Sequence, residues 1–337
     1  MVRSEVTIDL GALRRNVGRL LEVLGGAELW AVVKANGYGH GAVDCGRAAL
    51  EAGATALCLA TVDEALELRN ALPEARIIVF GLTDEIARAR EARLELCVGE
   101  HVPEDIPVHV KLDTGMGRWG VSELRTPQRN VVGLMTHLAT ADSDPEFARR
   151  QVERFRAATD QYGQLTRHVA NSAAALRLPE ARFDAARCGI ALHGLSPFGT
   201  DAAEDGLEPV LSWRSEVALV RRLQPGQSTG YGRRFVAEHE TWIGLVPVGY
   251  GDGFRRDLTG THVLVGGERR RVVGVVSMDA FAVELDRDVP VGTEVTIVGP
   301  GVSIEEHARV AGTITHDLVS GIVSRPTRAS RVVRGAA

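Results

Sequence analysis

Residues 28–80 read ELWAVVKANGYGHGAVDCGRAALEAGATALCLATVDEALELRNALPEARIIVF. In this stretch, short apolar runs alternate with helical patterns. The apolar runs are Leu29–Val33, Ala56–Ala60 and Arg76–Phe80, and the helical patterns are Gly41–Glu51 and Thr61–Leu72. A strand that is followed by a parallel neighbour needs a crossover connection, which is usually a helix. The segment therefore predicts β/α units around a parallel sheet.

The same alternation continues to about residue 211 and gives eight apolar runs. The other five are Leu94–Val98, Val108–Leu112, Val131–His137, His168–Ala170 and Phe183–Arg187. Eight strands with eight returns are the count of a TIM barrel, and about 200 residues is a small example of that fold. From Ser212, β-branched runs split by glycine, such as THVLVGG (261–267), indicate antiparallel strands. We therefore predict an α/β fold, with a TIM barrel over residues 9–211 and a mostly antiparallel β domain over 212–337 that includes the N-terminal strand 1–8.

Composition and charge exclude several classes of protein. The 39 Lys and Arg residues against 44 Asp and Glu residues give a net charge of −5, without a basic block, so nucleic acid is not an expected partner. No apolar run approaches the roughly 18 residues that a membrane span needs. The N-terminus lacks the apolar stretch of a signal peptide. We expect a cytoplasmic protein that does not bind membranes, and the four scattered cysteines predict no disulfide framework.

Polar side chains end or follow several of the barrel strands, where TIM-barrel enzymes carry their active sites. They are Lys34, Lys111 with Arg118 in the next loop, His137, Asn171 with Ser172, and Arg187 followed by Gly189 and Ile190. Charged groups inside a small barrel cost free energy unless they are paired or functional. The set therefore predicts an active site at this end of the barrel.

Lys34 ends the first barrel strand. A lysine whose pKa is lowered by desolvation can form a Schiff base with a carbonyl compound. Strands seven and eight of such barrels often bind phosphate through loop N–H groups, and Ser172, Gly189 and Ile190 fit that role. A phosphate-binding P-loop is excluded at residues 37–41, because Lys34 precedes the glycines there. A lysine and a phosphate site at one barrel mouth suit pyridoxal 5′-phosphate (PLP).

Eight motifs, in the same order along the chain, resemble those of the alanine racemase family. They are AVVKANGYGHG (31–41), KLDTGMGRWG (111–120), THLATAD (136–142), HVANSAA (168–174), RCGIALHGLSP (187–197), TGYGRRF (229–235), VPVGYGDG (246–253) and VSMD (276–279). The resemblance covers nearly the whole chain. It implies a fold-type III PLP enzyme, a homodimer with shared active sites that racemises L- and D-alanine and supplies D-alanine for peptidoglycan.

The resemblance also implies roles for individual residues around the cofactor. Lys34 would bind PLP and act as one catalytic base, and Arg187 would face the pyridine nitrogen. Phosphate contacts are implied for Tyr38, Ser172, Gly189 and Ile190, and positions near Arg187 and the cofactor for His137 and Asn171. Arginine stays protonated, so it would donate a hydrogen bond to the ring without giving up a proton. From the residues alone, a packing role for Tyr38 and a core role for His137 stay open.

The substrate side is assigned from the same resemblance. Arg118 would contact the substrate carboxylate, and Lys111 would carry a carboxylate (N6-carboxylysine) that orients Arg118 through charge-assisted bonds. The partner subunit would contribute Tyr231 as the second catalytic base, with Met278, Asp279 and Tyr250 lining the substrate pocket and its entry.

The sequence departs from the family pattern at positions other than Lys34 and Tyr231: His316, Ser277 and His193 replace residues common in the family, and the usual Arg-x-Tyr ending is absent. Three alternatives stay open. The first is a racemase of the same family with broad specificity for small amino acids such as serine, and the second is a non-catalytic PLP carrier. The third is a metal-dependent barrel hydrolase. It is disfavoured because strand one lacks a His-x-His pair and Arg187 occupies the place of a late carboxylate ligand, so we expect no metal site.

Overall fold

The computed structural model describes residues 3–325 and 327–335. Within them the chain forms two compact units. One unit is Leu10–Glu208, and the other combines the residues up to Asp9 with those from Pro209 onward.

Eight parallel strands close into a barrel within Leu10–Glu208, which confirms the predicted (β/α)8 fold. The N-terminal strand of the other unit is β1 (Ser4–Asp9), so the barrel strands are β2 (Glu28–Val32), β3 (Ala56–Leu59), β4 (Ile77–Val79), β5 (Glu95–Val98), β6 (Val108–Lys111), β7 (Val131–Met135), β8 (Thr166–His168) and β9 (Ala185–Cys188). Pairing of Glu28 with Ala185 joins the first barrel strand to the last. The observed ends differ from the predicted ones by one or two residues, a normal uncertainty for strand boundaries.

Helices follow most of these strands, as the alternating pattern predicts. They are α1 (Leu10–Leu24), α2 (Ala42–Glu51), α3 (Val62–Ala71), α4 (Ile86–Glu91), α5 (Pro145–Thr159) and α6 (Ser172–Arg177). Asp144 caps α5 by accepting the N–H of Phe147, as expected from a short carboxylate before a helix. Thr61 caps α3, and Glu64 completes a capping box with it, while Asp63 lies in the first turn.

The other unit is built on a nine-stranded sheet that is mostly antiparallel. Its strands besides β1 are β10 (Leu211–Glu216), β11 (Leu219–Leu223), β12 (Ser228–Thr229), β13 (Phe235–Val236), β14 (Thr241–Val246), β15 (His262–Val265), β16 (Glu268–Val273), β17 (Phe281–Leu285), β18 (Glu294–Val298) and β19 (Ser330–Arg334), of which β12 and β13 form a separate hairpin. Strand β1 lies between β10 and β19, antiparallel to the first and parallel to the second. The N-terminal strand therefore belongs to this sheet.

Two features of this sheet unit differ from the sequence prediction. The run SEVALVRRL (215–223) is broken at Val217 and Ala218, and its two halves lie in β10 and β11, far apart in the sheet order. Two short helices, α7 (Ile304–Ala311) and α8 (Thr315–Gly321), follow β18. No helix in the described chain is both long and apolar enough to span a membrane.

Candidate active site

Lys34 lies two residues after the end of β2 and begins an unusual turn. Ala35, Asn36 and Gly37 have φ values of 52°, 53° and 63°, and those of Tyr38 and Gly39 are 53° and 80°, so five successive residues have left-handed φ. Only glycine adopts this conformation without strain. Two side chains hold the turn: Glu64 Oε1 accepts the N–H of Ala35 at 2.7 Å, and Asn36 Oδ1 accepts the N–H of Ala42 at 3.0 Å. The lysine therefore stands on backbone that is fixed from two sides.

The environment of Lys34 favours its neutral amine. The side chain reaches solvent, but the surrounding protein disfavours the charged form, and the nearby positive charge of Arg118 adds to that effect. Together they lower the pKa of Lys34. A neutral amine is the form that attacks a carbonyl carbon, so Lys34 is suited to covalent binding of an aldehyde.

A small cradle of hydroxyl and backbone groups lies within the same barrel unit. Ser172 Oγ accepts the N–H groups of Gly189 at 3.1 Å and Ala191 at 3.4 Å. The Tyr38 hydroxyl closes the cradle so tightly that a Cβ on residue 189 would lie 2.4 Å from Tyr38 Oη. Ile190 lies between the two N–H groups, and Tyr38, Ser172 and Ile190 are buried. Hydroxyl and N–H donors around a glycine are a typical donor set for phosphate.

Arg187 is a buried cation whose direction is fixed by its bonds. Its Nη2 donates to the carbonyls of Thr136 and Val169, both at 2.9 Å, and its Nη1 donates to His168 Nδ1 at 2.9 Å. Within the described residues its Nε–H and the second Nη1–H make no hydrogen bond, so two donors remain for a ligand. An unprotonated ring nitrogen could accept a hydrogen bond from the Nε–H.

The family resemblance predicts that His137 and Asn171 lie near Arg187. The structure indicates the protonation state of the first and a hydrogen bond of the second. Burial and the positive charges of Arg187 and Arg118 lower the pKa of His137 to about 3, so its imidazole is neutral. Its Nδ1 lies 3.5 Å from Arg187 Nη2. Asn171 Oδ1 caps α6 by accepting the N–H of Ala174 at 3.0 Å.

Lys111 and Arg118 are close together around one indole ring. The Trp119 ring centre lies 5.4 Å from Lys111 Nζ and 5.2 Å from Arg118 Cζ. Burial, Arg118 and Arg187 lower the pKa of Lys111 to about 8. Among the described residues no cluster of three or more His, Cys, Asp and Glu side chains is arranged to hold a metal ion.

The four remaining predicted residues lie in the sheet unit, and all are exposed. Tyr231, in the turn after β12, is 72% exposed. Tyr250, Met278 and Asp279 lie in two loops that are tied together, since the Tyr250 N–H donates to the Ser277 carbonyl and the Gly251 N–H to that of Met278. Arg328 Nη1 donates to Asp279 Oδ1 at 2.8 Å and holds that carboxylate in place.

The sequence analysis did not identify the residue that supports the Lys34 turn or the residues that are hydrogen-bonded to His168 inside the barrel. Glu64 supports the Lys34 turn, and its position three residues after Thr61 is a capping-box signal that could have drawn attention to it. His109 and Glu95 extend the bonds of His168 into the barrel, at 3.0 Å and 2.8 Å. Both lie within strands, and no loop motif marks them.

Comparison with known proteins agrees with this geometry. The family model described as alanine racemase, N-terminal domain, matches residues 8–197, and the model for the C-terminal domain matches residues 210–330. The chain is 39% identical to the alanine racemase of Lactiplantibacillus plantarum, over 96% of both chains. It is 40% identical to that of Streptomyces coelicolor, over 97% of this chain and 96% of the relative.

Solved structures give the same result. The crystal structure of alanine racemase from the D-cycloserine-producing Streptomyces lavendulae superposes with a TM-score of 0.91 at 35% identity, over 100% of this chain and 98% of that one. Matches of this extent cover both units and all of the motifs. The chain therefore belongs to the alanine racemase family.

Proposed function

We propose that this protein interconverts L- and D-alanine with PLP bound at the barrel mouth, and that the D-alanine serves peptidoglycan synthesis. The observation that carries the proposal is the donor set within one barrel unit. It combines an amine with lowered pKa at Lys34, a hydroxyl and N–H cradle at Ser172 and Gly189, and a directed guanidinium at Arg187. These groups match an aldehyde, a phosphate and a ring nitrogen, the three polar parts of PLP.

Different residues would bind the three polar parts of the cofactor. Lys34 would hold the aldehyde carbon, Tyr38 and the cradle would hold the phosphate, and Arg187 would donate its Nε–H to the ring nitrogen. When bound, PLP supplies an electron sink that acidifies the Cα–H of the substrate. Arg187 donates a hydrogen bond but keeps its proton, so it limits how much charge the ring accepts. This favours return of the proton to Cα.

Two bases are needed because racemisation moves a proton on opposite faces of Cα. We assign Lys34 to one face. We assign Tyr231 of a partner subunit to the other, which makes the enzyme a homodimer with shared sites. The support is that Tyr231, Met278 and Tyr250 are large side chains that the isolated chain leaves exposed in the sheet unit. Burial against a partner's barrel would exclude water from Tyr231.

Arg118 would bind the substrate carboxylate. We propose that Lys111 first loses the proton of its ammonium group and that its neutral amine then attacks CO₂. This step forms an N–C bond, opens one C=O π bond to give a carboxylate and releases a second proton, so that an anion instead of a cation faces Arg118. The pKa of Lys111, about 8, leaves a useful fraction of reactive neutral amine near neutrality. The carbamate would orient Arg118 by charge-assisted bonds.

The direct test is chiral analysis of alanine after incubation of the purified protein with L-alanine and PLP. We expect D-alanine to accumulate to equality, and Lys34→Ala to abolish it. L-Serine in a parallel reaction measures specificity, because a broad racemase would convert both amino acids at similar kcat/KM. Absence of D-alanine with PLP bound would favour a carrier and contradict the proposal.

A further inference from the structure

Three hydrogen bonds connect four side chains in series across the interior of the barrel. Arg187 Nη1 lies 2.9 Å from His168 Nδ1, His168 Nε2 lies 3.0 Å from His109 Nδ1, and His109 Nε2 lies 2.8 Å from Glu95 Oε2. Both imidazoles are completely buried and pack against Trp30. We name these four residues the barrel chain. Glu95 begins β5 and Arg187 is near the end of β9, so the barrel chain runs toward the carboxyl ends of the strands.

Each bond in the barrel chain has one possible direction. Arginine can only donate, so His168 Nδ1 must accept and its ring proton must be on Nε2. That proton is donated to His109 Nδ1, so the ring proton of His109 must also be on Nε2, where it faces Glu95. These directions make both imidazoles neutral, and burial lowers the pKa of each in the same sense. One tautomer at each histidine is therefore compatible with the geometry.

The acidic end of the barrel chain is firmly held. Arg76 binds Glu95 with two bonds, Nε to Oε1 at 2.8 Å and Nη2 to Oε2 at 2.9 Å. Burial alone would raise the pKa of Glu95, but the bonds from His109 and Arg76 hold it at about 2. Glu95 is therefore an anion at every physiological pH.

A glycine in the sequence leaves the space that the barrel chain occupies at His109. A Cβ on Gly133 would lie 2.1 Å from His109 Nδ1, so any larger residue there would displace the imidazole. At the other end, Arg187 forms no salt bridge within the described residues, although burying an unpaired cation is costly. The hydrogen bonds of Arg187 lead instead through the two imidazoles to Glu95, whose charge Arg76 pairs.

We propose that Glu95, His109 and His168 are positioning residues that aim Arg187. With one Nη1–H committed to His168 and both Nη2 hydrogens to carbonyls, the guanidinium is held in one plane, and its Nε–H is the donor that we assign to the ring nitrogen of PLP. The barrel chain thereby fixes the direction of that donor from within the barrel. This inference rests on the proposed function for its last step, the contact with PLP. The fixed tautomers do not depend on it.

The first experiment is ¹⁵N NMR of the PLP-free protein with labelled histidine. Neutral Nε2–H and Nδ1–H imidazoles have distinct ¹⁵N shifts, and His109→Gln and His168→Gln identify the signals. We expect both histidines to be neutral Nε2–H tautomers from pH 6 to 8. An Nδ1–H signal at either residue would overturn the barrel chain, whatever the enzyme does with PLP.

The second experiment compares Glu95→Gln with Glu28→Gln. Glu28 is a matched control, because it lies 3.5 Å from Arg76 and binds Trp30 and Thr55 but is outside the barrel chain. We expect Glu95→Gln to raise the Kd of PLP about tenfold and to move the ¹⁵N shift of labelled PLP's ring nitrogen, as loss of a charge-assisted bond would. Glu28→Gln should leave both at wild-type values.

The outcomes separate the two proposals. If wild-type protein does not bind PLP, the proposed function fails, and the tautomers still decide the barrel chain. If PLP binds and Glu95→Gln matches Glu28→Gln in Kd and ring-nitrogen shift, the positioning role is wrong. Should Glu95→Gln fail to fold, Glu95→Asp keeps the anion but draws it back from His109. A wild-type Kd and shift for Glu95→Asp would then overturn the proposal.

Discussion

Replacing Gly189 with alanine tests the phosphate cradle. The new Cβ would lie 2.4 Å from Tyr38 Oη, 2.8 Å from Cζ and 3.0 Å from Cε2. All three distances are shorter than ordinary contacts, and the Tyr38 ring is buried, so it cannot turn freely into solvent. Overpacking of this kind costs about 1–3 kcal/mol, and the ring must shift to relieve it. The Tyr38 hydroxyl would then leave its place in the cradle.

The expected effect on the cofactor follows from that lost donor. A hydrogen bond to a charged group contributes about 1.5–3 kcal/mol. We therefore expect Gly189→Ala to weaken PLP binding by about 10- to 150-fold, at 1.4 kcal/mol per factor of ten. The loss should be in cofactor affinity, with a smaller loss of folding stability beside it.

The assay is titration of the PLP-free protein with PLP, followed by its visible absorbance. Gly163→Ala is the matched control, because Gly163 has a φ of −60° and no heavy atom within 4 Å of the new Cβ. The double variant Gly189→Ala/Tyr38→Phe removes the closest atom, so it should regain part of the stability but none of the affinity. A Kd for Gly189→Ala equal to that for Gly163→Ala would refute the assignment of the cradle.

Three further predictions concern the shared sites of the dimer, the left-handed turn at Ala35 and the loss of folding stability at acidic pH. Mixing inactive Lys34→Ala and Tyr231→Ala under subunit exchange should restore about a quarter of wild-type activity, since about half the dimers are mixed and each has one intact site; a dead mixture with mixed dimers present would contradict shared sites. Ala35→Gly should raise the unfolding free energy by about 0.5–1 kcal/mol and so shift the urea midpoint upward, because the left-handed strain of roughly 1–2 kcal/mol exceeds the entropy cost of glycine. An unchanged midpoint would mean that the turn is unstrained. With the pKa of His137 lowered from 6.5 to about 3, the unfolded chain binds more protons between those values, so stability falls as the pH falls through that range. His137→Asn should make the unfolding free energy, measured by urea unfolding at a series of pH values, depend less on pH in this range. An equally steep dependence on pH would argue against a neutral imidazole.

The barrel and the place of Lys34 near the end of its first strand could be predicted because they leave local signals. Strands buried on both faces are continuous apolar runs, such as Ala56–Leu59, whose four residues are all buried. Lys34 and Arg187 are charged residues at or near the ends of such runs. In the sheet unit the signals fail. The break at Val217 has no glycine or proline to mark it, and it exists because the Val217 N–H donates to the distant Thr293 carbonyl.

The barrel chain shows the limit more clearly. His109 lies inside a strand, where a single histidine has no distinctive spacing, and its partners are 14 and 59 positions away along the chain. Only closure of the barrel brings them together. The left-handed turn at Ala35 is equally hidden, since Gly37 indicates a turn but not that two residues before it share the conformation.

The position of β1 has a consequence for how the chain is made. Val6 pairs with Trp213 on one side and with Arg331 on the other, so 207 residues are synthesised after Val6 before its first neighbour exists. At about 5–20 residues per second, that delay is roughly 10–40 s. The barrel residues 10–208 are complete before β10 emerges, so the barrel can close during synthesis while β1 remains an unpaired edge. The sheet unit, in contrast, can be completed only when the last strand, β19, has been released.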